Sequence, residues 1–229
     1  TWLNGFRYVG EDEVTSGRIG LRRPQLGALH AIHAHWSTSK DVATVVMPTG
    51  TGKTETMLAT LVSARCVRVL VLVPTDALRA QIALKFFTLG ILKDPRSSLL
   101  QPGVVRPVVG MLTKMPATPE EVEEFFRQCN VVVTTSALAG RCSPELCSHL
   151  FIDEAHHAEA ATWKRFKSHF KGQSVILQFT ATPFREDGKP LDGKIIYVYP
   201  LRQAQREGYF KPIRFSPASA RTRPRADRD

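Results

Sequence analysis

Long apolar runs are absent from this sequence of 229 residues. No stretch reaches the roughly 18 uncharged apolar residues that a membrane-spanning helix needs, so we expect no membrane association. The first five residues also lack the charged start and apolar stretch of an export signal. There are only 4 cysteines and no C-x-x-C pair, and a chain of this length does not need disulfides. We interpret the cysteines as reduced thiols of a cytoplasmic protein.

Acidic residues are outnumbered by basic ones. The chain has 31 Lys and Arg against 21 Asp and Glu, which gives a formal net charge of +10. Such an excess favours a polyanionic partner such as nucleic acid, because Lys and Arg release the counterions condensed on phosphates. A soluble basic protein without such a partner has the same composition. Part of the charge also lies after residue 216, in a Pro- and Arg-containing stretch typical of a linker.

Short β-branched runs alternate with segments of helical length, which predicts an α/β domain with a mostly parallel central sheet and helices on both faces. Most of these runs are continuously apolar, as strands buried on both faces are. The predicted strands are Ala43–Met47, Arg68–Val73, Val104–Val109, Val131–Thr135, Leu150–Asp153, Val175–Phe179 and Ile195–Tyr199. The predicted helices are Pro24–His35, Lys53–Ala64, Ala77–Leu89, Pro119–Gln128, Glu159–Phe170 and Leu201–Glu207. Thr118 and Pro119, followed by two glutamates, mark the start of the fourth helix.

A glycine-containing turn stands between an apolar strand and a helix at Met47–Thr54, which we name the phosphate loop. Gly50 and Gly52 allow backbone angles that turn successive N–H groups towards an anion, and the following helix adds the positive end of its dipole. Lys53 would reach phosphates as a point charge, and the Thr54 hydroxyl suits Mg2+. A mere tight turn leaves this lysine and threonine unexplained. The first position departs from the strict G-x-x-x-x-G-K-[ST] pattern, in which it is a glycine. The nucleotide-binding residues predicted in this loop are Thr49, Gly50, Thr51, Gly52, Lys53 and Thr54.

Two carboxylates follow a later apolar strand in Leu150–His157, which we name the acidic segment. Ligands of open α/β sheets bind at the carboxyl ends of the strands. If this strand neighbours the strand of the phosphate loop, Asp153 can hold Mg2+ through water and Glu154 can orient and deprotonate the attacking water. A zinc site is the rival interpretation, but its spacing lacks the H-E-x-x-H arrangement. Its candidate ligands are Glu154, His156, His157 and Glu159.

Together, the phosphate loop and Asp153-Glu154-Ala155-His156 resemble motifs one and two of superfamily-two helicases of the DEAD/DEAH-box kind, and further segments match in the family's order. The resemblance adds His156 to the catalytic residues. Arg22–Gln25 is similar to the family's adenine-recognition motif, which implies that Gln25 contacts the base. The implied fold is a RecA-like P-loop ATPase domain over residues 22–212. An N-terminal extension (1–21) would precede it, and a basic linker or the start of a missing second domain (213–229) would follow it.

Further segments resemble family motifs that touch nucleic acid or couple hydrolysis to movement. Hydroxyls and free helix N-terminal amides bind phosphate oxygens without reading bases, although the same residues also serve as ordinary helix caps. The implied nucleic-acid contacts are Pro74, Thr75, Gln81, Thr134, Thr135 and Ser136. The implied coupling residues are Thr180, Ala181 and Thr182, whose threonines are expected to bridge to His156 and Asp153. Arg185 and the segment Gly208–Pro212 are most similar to the branch that contains restriction-enzyme motor subunits and related duplex-DNA translocases.

The resemblance implies ATP and Mg2+ as cofactors and nucleic acid as partner, with DNA favoured over RNA. In this family a second RecA-like domain completes the ATP site and supplies an arginine finger, and the residues after Pro212 are too few for such a domain. Because a finger contributes a factor of about 10³ to 10⁵ in turnover, we expect this chain alone to hydrolyse ATP slowly. The alternative function is an ATP-gated module that binds nucleic acid without moving along it. A P-loop kinase is a third interpretation, but no acceptor site is recognisable.

Overall fold

The computed structural model describes residues 2–157, 166–184 and 188–209. Within these residues seven strands form one sheet in the order β3-β4-β2-β5-β6-β1-β7, and all neighbouring strands are parallel. The strands are β1 (Ala43–Val46), β2 (Val69–Val73), β3 (Val109–Met111), β4 (Val131–Thr135), β5 (His149–Ile152), β6 (Val175–Thr180) and β7 (Lys194–Val198). The α-helices are α1 (Arg23–Thr38), α2 (Lys53–Ser63), α3 (Asp76–Thr88), α4 (Pro119–Gln128), α5 (Ser136–Ala139) and α6 (Leu201–Arg206), and a helical stretch also covers residues 166–170.

Both faces of the sheet are covered by helices. Successive side chains of a strand point to opposite faces, so each strand contributes to two apolar clusters. Val69 and Val71 of β2 pack in the cluster that includes α1, α2 and α3. Leu70 and Leu72 pack in the other cluster, together with α4 and residues 166–170. The predicted α/β fold with a parallel sheet between two helical layers is therefore confirmed.

The start of α4 follows from local sequence and is confirmed at the predicted residue. Thr118 Oγ1 accepts a hydrogen bond from the N–H of Glu121 at 3.2 Å, and the Glu121 carboxylate accepts one from the N–H of Thr118 at 3.4 Å. This reciprocal pair satisfies amides that have no partner within the helix. Val122 and Phe126 follow four residues apart, and this spacing buries both on the sheet.

The strand predicted at Val104–Val109 is wrong for most of its length, because β3 covers Val109–Met111. Pro107 has no N–H to donate to a neighbouring strand. The N–H of Val108 instead donates to Asn130 Oδ1 at 2.9 Å. The helix predicted at Glu159–Phe170 is described only over 166–170, since its first half lies outside the described residues.

Residues 2–21 lie against the core. Trp2 and Leu21 are buried in the cluster that contains α1 and α2. The segment also bonds to the chain near Ser97: Ile19 donates its N–H to Arg96 O at 3.0 Å, and Arg7 donates to Leu99 O at 2.9 Å. These bonds hold the segment beside the carboxyl ends of the central strands. Among the described residues, no helix is both long and apolar enough to cross a bilayer.

Candidate nucleotide site

The phosphate loop has the strand, turn and helix that its sequence predicts. β1 ends at Val46 and α2 begins at Lys53. Gly50 and Gly52 have φ values of 86° and 97°, a region that favours glycine. A Cβ added to Gly52 would lie 2.0 Å from the Gln25 side-chain nitrogen. Gly52 is therefore required both for the turn and for the close approach of Gln25.

Gln25 joins the start of α1 to the phosphate loop. Its side chain is 2% exposed, and its Oε1 accepts a hydrogen bond from the N–H of Arg22 at 2.9 Å. The amide nitrogen faces Gly52, and the residue lines the cleft described below. The predicted adenine contact thus lies at the cleft and also caps a helix.

Thr51 turns its side chain into the phosphate loop. Its side chain is fully buried, and its hydroxyl donates to Pro48 O at 2.6 Å. The backbone N–H of Thr51 points to the same carbonyl at 3.2 Å. These bonds close the turn from inside, so this threonine shapes the loop and its hydroxyl does not face the cleft.

Lys53 and Glu154 form an ion pair that joins the phosphate loop to the acidic segment. Lys53 Nζ lies 3.0 Å from Glu154 Oε1, and the Lys53 side chain is 8% exposed. The two strands are not direct neighbours, the condition under which the sequence brought these residues together, because β6 lies between β1 and β5. Adjacent strands are about 4.8 Å apart, so the carboxyl ends of β1 and β5 are separated by roughly twice that distance. The long lysine side chain closes this gap.

Asp153 is a buried carboxylic acid beside this pair. Burial and the neighbouring Glu154 carboxylate raise the pKa of Asp153 to about 6, against the opposing effects of Lys53 and of a backbone hydrogen bond. The N–H of Glu154 donates that bond to Asp153 Oδ1 at 3.1 Å. Burial penalises the charged form, so a cation placed next to Asp153 would favour its ionisation. The carboxylate oxygens of Asp153 are of the ligand type that a hard cation such as Mg2+ prefers.

Glu154 has a left-handed backbone, with φ of 48°. Its Oε2 is buried and has no hydrogen-bond donor among the described residues. His156 Nδ1 lies 3.4 Å from this oxygen but makes its shorter contact, at 3.0 Å, with Thr180 Oγ1. Glu154 thus has one oxygen held by Lys53 and another with capacity to accept a proton from water.

His156 connects the acidic segment to the end of β6. The Thr180 hydroxyl donates its single proton to Thr182 O at 2.7 Å. Nδ1 of His156 is therefore the protonated nitrogen in the contact with Thr180. The predicted bridge between Thr180 and His156 is present, whereas no threonine of this loop bonds to Asp153 in the part of the chain described. Ala181 lies between Thr180 and the exposed Thr182.

A cleft of about 710 Å³ contains the predicted nucleotide residues, apart from Thr51. It extends past the phosphate loop to residues that the sequence pattern did not indicate. These include Glu11, Val14, Arg18 and Ile19 from the N-terminal segment, and Leu78, Ile82 and Ile91 from α3 and the turn after it. They lack a recognisable local motif, because tertiary packing and not a short sequence pattern places them at the cleft. Gln81, predicted as a nucleic-acid contact, lines this cleft as well.

The predicted nucleic-acid contacts differ in accessibility. Thr75 Oγ1 accepts from the N–H of Leu78 at 3.4 Å, so this exposed residue caps α3. Thr134 is fully buried, and its hydroxyl donates to Leu112 O at 3.0 Å. The structure therefore contradicts a direct contact between the Thr134 hydroxyl and nucleic acid. Three other predicted contacts are partly exposed at the carboxyl ends of β2 and β4: Pro74, Thr135 and Ser136. Their contact with nucleic acid stays a prediction.

Some predicted features lie outside the described residues. These are Arg185, the segment from Phe210 to Pro212, and Glu159. The rival zinc site includes Glu159 and the side chain of His157, which lie outside the described residues. Its other two candidate ligands are Glu154 and His156. Both are engaged in the contacts with Lys53 and Thr180 described above.

Similar solved structures share the fold. A nuclease-deletion mutant of the Type ISP restriction-modification enzyme LlaGI, in complex with a DNA substrate mimic, has a TM-score of 0.57 at 18% identity and covers 83% of this chain and 21% of that chain. UvsW helicase from bacteriophage T4 has a TM-score of 0.53 at 17% identity, covering 82% and 60%. The Sulfolobus solfataricus SWI2/SNF2 ATPase core in complex with dsDNA has a TM-score of 0.50 at 17% identity, covering 72% and 33%. The chain thus spans between 21% and 60% of these chains.

No curated protein matches the sequence. The family model described as type III restriction enzyme, res subunit, matches residues 18–185, which include Gln25, the phosphate loop, the acidic segment and Thr180. The chain belongs to this family and carries the RecA-like domain of the superfamily-two class of ATP-hydrolysing helicases and translocases.

Proposed function

We propose that this chain is an ATP-binding motor domain that couples ATP hydrolysis to movement on nucleic acid, with duplex DNA as the track. The observation that carries the proposal is a continuous series of contacts: Lys53 pairs with Glu154, and His156, two residues on, bonds to Thr180. This series links the phosphate loop to the end of β6. A nucleotide-binding fold without hydrolysis has no need for a Glu154 Oε2 that is buried and accepts no hydrogen bond from the described residues.

ATP fits the residues of the cleft. Gly50 and Gly52 shape a turn ahead of the N-terminus of α2, where free amides and the helix dipole favour an anion. Lys53 Nζ, now 3.0 Å from a glutamate oxygen, offers three donors and a full charge to phosphates at the same place. Gln25, buried next to Gly52, presents its amide at the side of the loop where a base would extend.

Mg2+ fits the oxygen donors beside this loop. Thr54 and Asp153 line the same cleft, and both carry the oxygen ligands that this cation prefers. The raised pKa of Asp153 marks a carboxyl group whose charged form lacks compensation in its buried position. When bound, Mg2+ would neutralise charge on the phosphates. Asp153 and Thr54 would hold it, in part through water.

Glu154 is proposed as the general base. Its Oε2 would accept a hydrogen bond from the attacking water and then its proton, while Lys53 orients the carboxylate through Oε1. His156 would transmit a displacement of Glu154 to Thr180, because its Nδ1–H lies between Glu154 and the threonine hydroxyl. Thr180 is followed directly by the loop that leads away from the sheet. A displacement at Glu154 would therefore reach this loop through His156 and Thr180.

Two observations bear on the polymer, the first on nucleic acid in general and the second on DNA. The net charge of +10 suits a polyanion. Among the similar folds, the restriction-modification enzyme LlaGI is described with a DNA substrate mimic, and the Sulfolobus ATPase core with dsDNA. The alternative is a module that grips nucleic acid under the control of ATP without moving along it.

The test is ATP hydrolysis by the full-length protein with no polymer, duplex DNA, single-stranded DNA or RNA. We expect duplex DNA to give the largest stimulation. We expect Glu154→Gln to lower the stimulated rate by about 10²- to 10⁴-fold, the usual contribution of a general base. Stimulation by RNA alone would overturn the DNA assignment. Failure of every polymer to stimulate hydrolysis, with ATP still changing DNA affinity, would support the ATP-gated module instead.

A further inference from the structure

Tyr209 lies at the end of α6 and turns back towards the phosphate loop. Its backbone N–H donates to Ala204 O at 2.9 Å, and Gly208 before it has a φ of 75°. These features end the helix and reverse the chain direction. The Tyr209 carbonyl oxygen would lie 3.7 Å from a Cβ added to Gly50. The backbone of Tyr209 therefore lies next to the loop proposed to bind phosphates.

The side chain of Tyr209 contacts two further residues of the cleft wall. The Arg22 guanidinium lies over its ring, 5.6 Å from the centroid, and Arg22 Nη1 donates to Gly50 O at 3.1 Å. The Tyr209 hydroxyl donates to Glu11 Oε1. Burial and the Glu11 carboxylate raise the pKa of Tyr209 to about 12, so the hydroxyl keeps the proton that it donates.

The partners of Tyr209 belong to three separate parts of the chain. Glu11, Arg22 and Gly50 all line the cleft, and Tyr209 contacts Glu11 and Arg22 directly. On its other side, the ring of Tyr199 lies with its centroid 6.3 Å away. A tyrosine that merely followed α6 would not need contacts with two residues that line the cleft.

We propose that Tyr209 is a positioning residue that couples the nucleotide cleft to the point at which the chain leaves α6. By holding Arg22 against Gly50, it keeps the cleft wall in a fixed arrangement and lowers the entropy that nucleotide binding must remove. Coupling of this kind is reciprocal, so a bound nucleotide also holds Tyr209 and the end of α6. The inference rests on the proposed nucleotide site.

The test compares Tyr209→Ala, Tyr209→Leu and Tyr209→Phe in the full-length protein. Binding of a fluorescent ATP analogue and steady-state hydrolysis are both measured. Loss of the ring under Arg22 should weaken binding about tenfold in the Ala and Leu variants, with a matching rise in KM and little change in kcat. The Phe variant keeps the ring and should stay within about threefold of the wild type. Tyr8→Phe is the control, since Tyr8 bonds to His33 at 3.1 Å away from the cleft.

The effect of ATP on hydrogen exchange at the Tyr209 amide is a measurement that simple loss of packing would not change. ATP should slow exchange of the Tyr209 amide in the wild type and fail to do so in Tyr209→Leu. Wild-type affinity in the Leu variant would overturn the inference, as would equal losses in the Phe and Leu variants or a fall in kcat alone. If the wild type binds no ATP, the proposed nucleotide site itself is wrong. If the wild type binds and the Leu variant binds equally, only the role of Tyr209 is wrong.

Discussion

Lys53 Nζ lies 3.0 Å from Glu154 Oε1, which joins the cation of the phosphate loop to the carboxylate proposed as general base. The pair spans the width of β6, since β1 and β5 are not neighbours. One side chain proposed to hold phosphate therefore also orients the group proposed to activate water. Changes at either residue should affect both binding and hydrolysis, but in different proportions.

Lys53→Met should weaken ATP binding by at least about tenfold, because it removes a charge-assisted contact to phosphate. It also leaves the Glu154 carboxylate without its cation, which should lower kcat. Binding of a labelled ATP analogue and hydrolysis measure the two effects. Lys171→Met is the control, because Lys171 is exposed and is not among the residues that line the cleft. Equal ATP affinity in the two variants would contradict the assignment of Lys53.

Thr180→Val should reduce polymer-stimulated hydrolysis while leaving ATP binding nearly unchanged. The variant keeps the shape of the side chain but loses the hydroxyl that bonds to His156 Nδ1 at 3.0 Å. Thr44→Val is the control, since Thr44 is equally buried and accepts a bond from Gln178 Nε2 at 2.9 Å. Both variants should lose about 1–3 kcal/mol of unfolding free energy. A similar loss of stimulation in both would assign the effect to stability and not to coupling.

Gly52→Ala should destabilise the protein more than Gly172→Ala. Both glycines have left-handed backbones, with φ of 97° and 87°, so the alanine costs about 1–2 kcal/mol at either site. Nothing lies within 4 Å of a Cβ at Gly172, whereas a Cβ at Gly52 meets Gln25 at 2.0 Å. Overpacking should add about 1–3 kcal/mol at Gly52. Urea unfolding measures the difference, and equal losses would show that the contact with Gln25 does not matter.

Asp153→Asn should remove a pH dependence of stability between about pH 4 and pH 6. The pKa of Asp153 is raised from 3.8 to about 6 in the folded protein, so over this range the folded state holds a proton that the unfolded state releases. The unfolding free energy of the wild type should therefore fall as pH rises through this range and then level off. The total contribution is about 3 kcal/mol, at 1.36 kcal/mol for each pKa unit.

The measurement for Asp153 is the difference in unfolding free energy between wild type and Asp153→Asn at pH 4, 5, 6 and 8, without Mg2+. Asparagine can still accept the bond from the N–H of Glu154, so its stability advantage should grow with pH up to about pH 6. The same variant should lose Mg2+-dependent hydrolysis. A difference that does not vary with pH would show that Asp153 is not the buried acid described here.

The sequence by itself determined the features that depend on neighbouring residues. The phosphate loop, the capping pair of Thr118 and Glu121, and most buried strands follow from short patterns whose physical cause is local. The apolar run before Asp153 identified a strand that ends in carboxylates. The strand predicted around Pro107 is too long. The valines there favour a strand, but Pro107 has no N–H with which to pair with a neighbouring strand.

Only the tertiary structure decided which distant residues meet. It placed β6 between β1 and β5, and it turned the hydroxyls of Thr51 and Thr134 inward. It also brought Glu11 into hydrogen-bond contact with Tyr209, although 198 positions separate them in the chain. Strand order and side-chain direction depend on how all helices pack on both faces of the sheet, and no short sequence pattern contains that information.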